Sequence, residues 1–341
     1  MPGTFHFKHY LIIFFSFIVM LFILGCASGG GSGGGIPHVP EAGESQTVTA
    51  GSVSCDMIYA PGGTFPTGVD DISGDETADA FWIAETEATN GLVAAVYQWA
   101  YDNGSMSGGT VSDITVKLHG MELLDLDGSC PIGFSSEQFS ADIGYEEYPC
   151  VEITWFGAVL FCNWMTEMIN GAAGEVVYSG MDDSWEPDET VVDLSKKGFR
   201  LLSAVEWECA ARYQDGSAWT PGDHASGDTT GPCYPSSSPD LSEVFGDYTW
   251  YIGNAGGGIH KVGTTGSATP ITACSGYSNA LGLYDMSGNV VEINCTGDLM
   301  GRKALGGSWD QLDVYLQIGL SINGSAGYSG PQLGFRFART P

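Results

Sequence analysis

The sequence predicts an α+β domain with extensive loops. Three observations carry this. Two long helix patterns and one short one lie before residue 214, short β-like runs flank them, and regular periodicity fades afterwards in a glycine-studded half. The 341 residues include 50 glycines, and 43% are apolar, enough for a packed core. Against 41 Asp and Glu stand only 11 Lys and Arg. The formal charge of −30 repels phosphate backbones and argues against nucleic acid as a partner. The plain reading of this acidity is solubility.

Residues 1–25 combine Lys8, the apolar run LIIFFSFIVMLFILG and a small residue before Cys26, the pattern of a secretory signal. ILGC resembles a bacterial lipobox, which implies cleavage after Gly25 and a lipid on Cys26. An ordinary signal peptide or an uncleaved anchor is the alternative. ASGGGSGGG (27–35) then reads as a flexible tether, which the polar residues 36–54 extend. The domain is expected to start at Cys55 and run to residue 341. Eight cysteines follow the lipid site, and their pairing stays open. Cys162 and Cys209 fall inside helix patterns and read as small core residues.

CDMIYAPGGTFPTG (55–68) predicts a strand broken by Pro61, Gly62 and Gly63, and FWIAETE a second strand. Thr89 or Asn90 can cap a helix whose apolar face carries Val93, Val96, Tyr97 and Ala100, ending at Gly104. Residues 105–149 read as a long surface excursion. YPCVEITW predicts a strand leading to Thr154, which caps a helix with Ala158, Phe161, Cys162, Met165 and Ile169 inward and Gly171 as its stop. In GFRLLSAVEWECAARY (198–213), Ser203 and Glu206 form a capping box and Val205, Cys209 and Ala210 face inward. No 20–50-residue repeat occurs, and GNAGGG is no phosphate loop because it opens no helix.

Six blocks in one order carry a resemblance: YPCVEITWFGAVLFCNWMTE, GFRLLSAVEWECAARY, WYIGNAGGGIHKVG, NALGLYDMSGNVVE, ALGGSWD and LGFRFART. Together they resemble the formylglycine-generating-enzyme/sulfatase-modifying-factor family across about residues 55–340. The resemblance implies a C-type-lectin-like fold with two main helices and short twisted sheets. Enzymes of this family hold copper through two cysteines just after GGS-aromatic. Gln311 and Leu316 stand where that pair aligns, and no cysteine follows Cys295, so the resemblance implies a non-catalytic member. The variable proteins of diversity-generating retroelements share the fold and carry a C-terminal variable segment between GGSW-like and GFR-like anchors. Here that segment is about 306–340.

Within it, Leu312, Val314, Leu316, Ile318, Leu320 and Ile322 alternate with polar residues, which predicts a half-buried strand with Leu316 and Ile318 in the core. NGSAGYSGPQ (323–332) reads as a loop. The resemblance implies a contact set of Asp310, Leu312, Asp313, Val314, Tyr315, Leu320, Asn323, Ser325 and Tyr328 for a protein or glycan ligand, on another cell or a host. Trp309 is expected beneath the loops and Arg336 against a buried carboxylate or carbonyl. Calcium-binding relatives imply a site from Asp285, Gly288, Val290 and Glu292, although Val291 and Ile293 replace the family's usual tryptophans. The alternative is that Asp285 and Glu292 cap turns. The favoured function is a surface-exposed, outer-membrane lipoprotein that binds a ligand. A copper-dependent oxidase with displaced cysteines and a purely structural envelope lipoprotein are the rivals.

Overall fold

The computed structural model describes residues 38–171, 173–181, 190–234, 241–265, 276–298 and 300–341. The leader, Cys26, the glycine tether through residue 37 and Cys274 lie outside the described residues.

Among the described residues, three α-helices form where local capping chemistry places them. Helix α1 (Asn90–Asp102) starts at Thr89, whose hydroxyl accepts from the Leu92 amide; Asn90 is instead buried and donates to the Tyr145 carbonyl. Helix α2 (Trp155–Asn170) is capped by Thr154 and stopped by Gly171 in the left-handed conformation. Helix α3 (Ala204–Arg212) carries the reciprocal Ser203–Glu206 capping box. Its inward residues are Trp207, Cys209 and Ala210, with Val205 only half-buried. Cys162 and Cys209 are buried and unbridged.

The largest sheet is antiparallel throughout, in the order Ser45–Ala50, Val53–Ala60, Phe81–Ala84, Phe337–Arg339 and Phe199–Leu201. Residues 45–54, expected as tether, therefore belong to the domain. Thr47 and Thr49 face water, where they bond Asp56 and Ser54, while Val48 and Ala50 are buried. A polar composition thus concealed a period-two pattern in β-favouring residues. The compact unit begins at Pro40.

Residues 105–149 also differ from expectation. They hold a three-stranded sheet (Thr110–Val111, Thr115–Leu118, Met121–Asp125) and a hairpin (Ile132–Ser135, Gln138–Ala141). These strands have two to five residues, too short to announce themselves against Gly and Ser turns. No regular strand leads directly into Thr154; Pro149 and Ile153 make only isolated bridges, to Thr89 and Leu124.

The core lies between α1, α2 and the largest sheet. The Tyr97 ring meets Trp164 edge-on at 5.2 Å, and its hydroxyl donates to the Gly157 carbonyl at 3.2 Å. Phe161 of α2 packs against Phe335 at 5.1 Å and Phe337 at 5.7 Å. A second sheet runs Ser321–Gly324, Arg302–Leu305, Val291–Ile293, Leu333–Gly334, the last pair parallel. This sheet positions the C-terminal segment.

Candidate functional site

The segment 306–340 is held at both ends. Gly307 opens it at φ +72°, and a Cβ there would meet the Tyr315 carbonyl oxygen at 2.6 Å, so only glycine permits this turn. At the far end LGFRFA alternates. Phe335 and Phe337 enter the α2 core, and Arg336 takes the opposite face. There its guanidinium binds Glu292 at 2.7 Å and donates to the carbonyls of Ala84, Glu85 and Tyr284. The expected buried partner of Arg336 is therefore Glu292, which also accepts from the Trp207 indole at 2.7 Å.

Between the anchors the predicted strand is largely absent. Asp313–Leu316 form a 3-10 turn, residues 317–320 turn again, and only Ser321–Gly324 pair, along the edge of the second sheet. The alternation reflects this winding: Leu316 and Ile318 are fully buried, as the sequence indicated, but Leu312 is 58% exposed. Leu316 packs with Ala225 and Cys233, and loop carbonyls of His224 and Gly222 accept from the Ile318 and Gly319 amides. These backbone bonds replace the ladder a strand would have used.

The candidate contact residues divide between two stretches. Asp310, Leu312 and Tyr315 are exposed on the first, with Asp313 and Val314 half-buried beside them. Ser308 donates to Asp310 at 2.8 Å, which orients that carboxylate. On the second, Asn323 projects from the edge strand, and Ser325 and Tyr328 bracket a turn pinned by the Trp155 amide on the Ala326 carbonyl. Trp309 links the stretches, its indole donating to the Pro331 carbonyl at 3.1 Å. Half-buried Leu320 shares a shallow depression with Tyr315, Gln311 and Ile322. Gln311 and Ile322 were not among the sequence candidates, because only the depression groups them with Tyr315.

The family description "Sulfatase-modifying factor enzyme 1-like domain" matches residues 43–341. The chain belongs to this family. Treponema denticola variable protein 1 is similar in structure, with a TM-score of 0.56 and 25% identity over 87% of this chain and 99% of that one. PvdO from Pseudomonas aeruginosa shares the fold at a TM-score of 0.53 and 17% identity, covering 89% of this chain and all of that one. Among curated proteins, Chaperone protein LppX from Paenibacillus barcinonensis is 24% identical over 322 residues, 88% of this chain and 95% of that protein.

The copper chemistry expected of enzymatic members of the sulfatase-modifying-factor family does not fit the residues present. Leu316 is an alkyl side chain sealed in the core, and Gln311 is a half-buried amide. The neighbouring thiol of Cys233 is pushed up to about 12 by burial and hydrogen-bonds to the Asp223 and Asp313 carbonyls. An amide and one protonated thiol cannot supply the pair of soft thiolates copper(I) prefers.

The calcium site implied by the family does not fit either. Glu292 spends both oxygens on Arg336 and Trp207, so the local cation is a guanidinium. Asp285 is buried, accepts from the Gly263 amide and is pushed up to about 6, chiefly by burial. It faces Glu87, whose carboxyl is raised well above its ordinary range by burial and by the Asp285 charge. Gly288 serves the turn: it sits at φ +86° with its amide on the Gly306 carbonyl, where a Cβ would strike the Trp250 carbonyl oxygen. Val290 is fully buried. Glu292 thus serves Arg336 and Trp207, and Asp285 holds the Gly263 amide of a neighbouring loop.

Proposed function

We propose that this protein is a non-catalytic, surface-exposed lipoprotein of the outer membrane. In this reading it is anchored through Cys26 and binds a protein or glycan ligand through its C-terminal face. One observation carries the reading: between two rigid anchors, the backbone of 309–328 is bonded to the scaffold while Asp310, Leu312, Tyr315, Asn323, Ser325 and Tyr328 reach solvent. Side chains so placed can change without unfolding the domain, which a diversified contact surface requires. Tyr, Ser, Asn and Asp also suit recognition, since Tyr covers area at low entropic cost and the small polar groups adapt their hydrogen bonds. Similarity to Treponema denticola variable protein 1 supports the same reading, and likeness to LppX agrees with a lipoprotein.

The test replaces Asp310, Leu312, Tyr315, Asn323 and Tyr328 with serine and Ser325 with alanine in the full chain, and compares variant and parent on glycan and protein arrays. Unchanged circular dichroism with loss of every array signal is the expected result; retained binding would sink the reading. The DNA offers a second check. A near-copy of the sequence encoding 306–340, with adenines at the codons of the exposed residues, is expected near the gene. Copper titration with a cysteine-containing peptide is expected to give no oxidation.

A further inference from the structure

A second concave site lies away from the loops just described, and neither the family resemblance nor the comparisons assign it. It is a cavity of about 560 Å³, within the size range of small-molecule pockets. Strand Val53–Ala60, residues 84–89, the first turn of α1 and residues 146–147 wall it, with Val262 and Phe337 contributing apolar surface. Five carboxylate residues line it (Asp56, Glu85, Glu87, Glu146 and Glu147), and among the described residues no lysine or arginine does. Lys261 reaches only Glu147, at 2.9 Å.

An acidic lining alone would say little, but Glu87 is different from the rest. The residue is 2% exposed, and among the described residues neither carboxylate oxygen has a hydrogen-bond partner of good geometry. Arg336, the charged donor facing it, is committed to Glu292 and three carbonyls. Asp56 and Glu146 do have local donors, in the Thr47 hydroxyl and the Gly144 amide. The cavity thus presents a carboxyl whose acceptor capacity is unused, which is costly when buried. The same negative field helps burial push the Cys55 thiol on the cavity wall up to about 12.

We propose that this cavity binds a small organic cation, an ammonium group carrying an apolar body, with Glu87 as the inner carboxylate. The ammonium supplies the missing donors and takes the place of the proton that burial keeps on Glu87, which leaves to solvent. Its apolar body lies against Leu92, Val262 and Phe337. An anion would face all five carboxylates. Binding therefore strengthens as pH rises, because Glu87, faced by Asp285, Glu292 and Arg336 and by the cavity's other carboxylates and rim Lys261, then gives up its proton more readily.

Calorimetric titration of the full chain with phenethylammonium tests this, with 2-phenylethanol and phenylacetate as neutral and anionic counterparts. The cation is expected to bind at least about tenfold more tightly than either counterpart, a difference of about 1.4 kcal/mol. Its heat is expected to vary with the ionisation enthalpy of the buffer, which reports the released proton. Glu87→Gln stays neutral as the protonated acid does, and is expected to fold and to lose about tenfold in affinity. Asp56→Asn and Glu146→Gln, at the more exposed wall, give smaller losses and serve if Glu87→Gln does not fold. Leu312→Ala and Tyr315→Ala leave cation binding unchanged, which separates this site from the C-terminal face. No heat from phenethylammonium, equal binding of the alcohol, or preference for calcium over the amine each overturns the proposal.

Discussion

Residues 333–338 and 309–328 are neighbours in the chain and opposites in burial. Every residue of the first stretch is buried, whereas in the second only Leu316, Gln317, Ile318 and Ala326 are. Both are nonetheless fixed. The first is fixed by side chains: Phe335 and Phe337 in the α2 core and Arg336 on Glu292. The second is fixed mainly through its backbone, with the Gln311 carbonyl on the Ile252 amide, the Ile318 and Gly319 amides on loop carbonyls and the Ala326 carbonyl on the Trp155 amide. A segment held by its main chain leaves its side chains free to vary; one held by its side chains does not.

The largest effect expected from breaking this contrast is at Arg336. Arg336→Met leaves Glu292 buried without its cation and is expected to cost about 3–5 kcal/mol in urea unfolding. Adding Glu292→Gln recovers part of that loss, because the stranded charge is then gone. Next comes Leu316→Ala, where a sealed alkyl group is removed from inside the otherwise tolerant stretch; about 3 kcal/mol is expected. If Leu316→Ala proves mild, the 3-10 turn is not seated as described.

Titration sharpens the anchor side. Burial pushes Asp285 from 3.8 up to about 6, so in that window the folded chain holds a proton the unfolded chain has lost. Stability therefore falls as pH rises through the window, with a maximal slope of about 1.4 kcal/mol per pH unit for one proton. Asp285→Asn is expected to flatten that slope relative to the parent, measured as unfolding free energy against pH. The smallest effects belong to the exposed loops. Leu312→Ala and Tyr328→Ala are each expected to stay within about 0.5 kcal/mol of the parent.

The helices were legible because their signals are local. Thr89, Thr154 and the Ser203–Glu206 pair act on amides three residues away or fewer, so a linear reading finds them. The burial of Leu316 and Ile318 was legible for a weaker reason. Apolar residues two apart must go somewhere dry, but a 3-10 turn followed by a loop satisfies them as well as a strand does. That Arg336 would seek a carboxylate could be read from its place between two phenylalanines. That the carboxylate is Glu292, 44 residues earlier, could not. The acidic cavity left no trace in the sequence, because five separated stretches meet to form it. Glu87 in particular looks like any surface acid until its neighbours are in place.

The strand Phe337–Arg339 lies inside the largest sheet, between Phe81–Ala84 and Phe199–Leu201. This strand is thus an interior plank of the sheet rather than its border. Pairing Ala338 with Ile83 joins stretches far apart along the chain, so the sheet closes only through a strongly non-local contact, the kind that sets a slow folding rate.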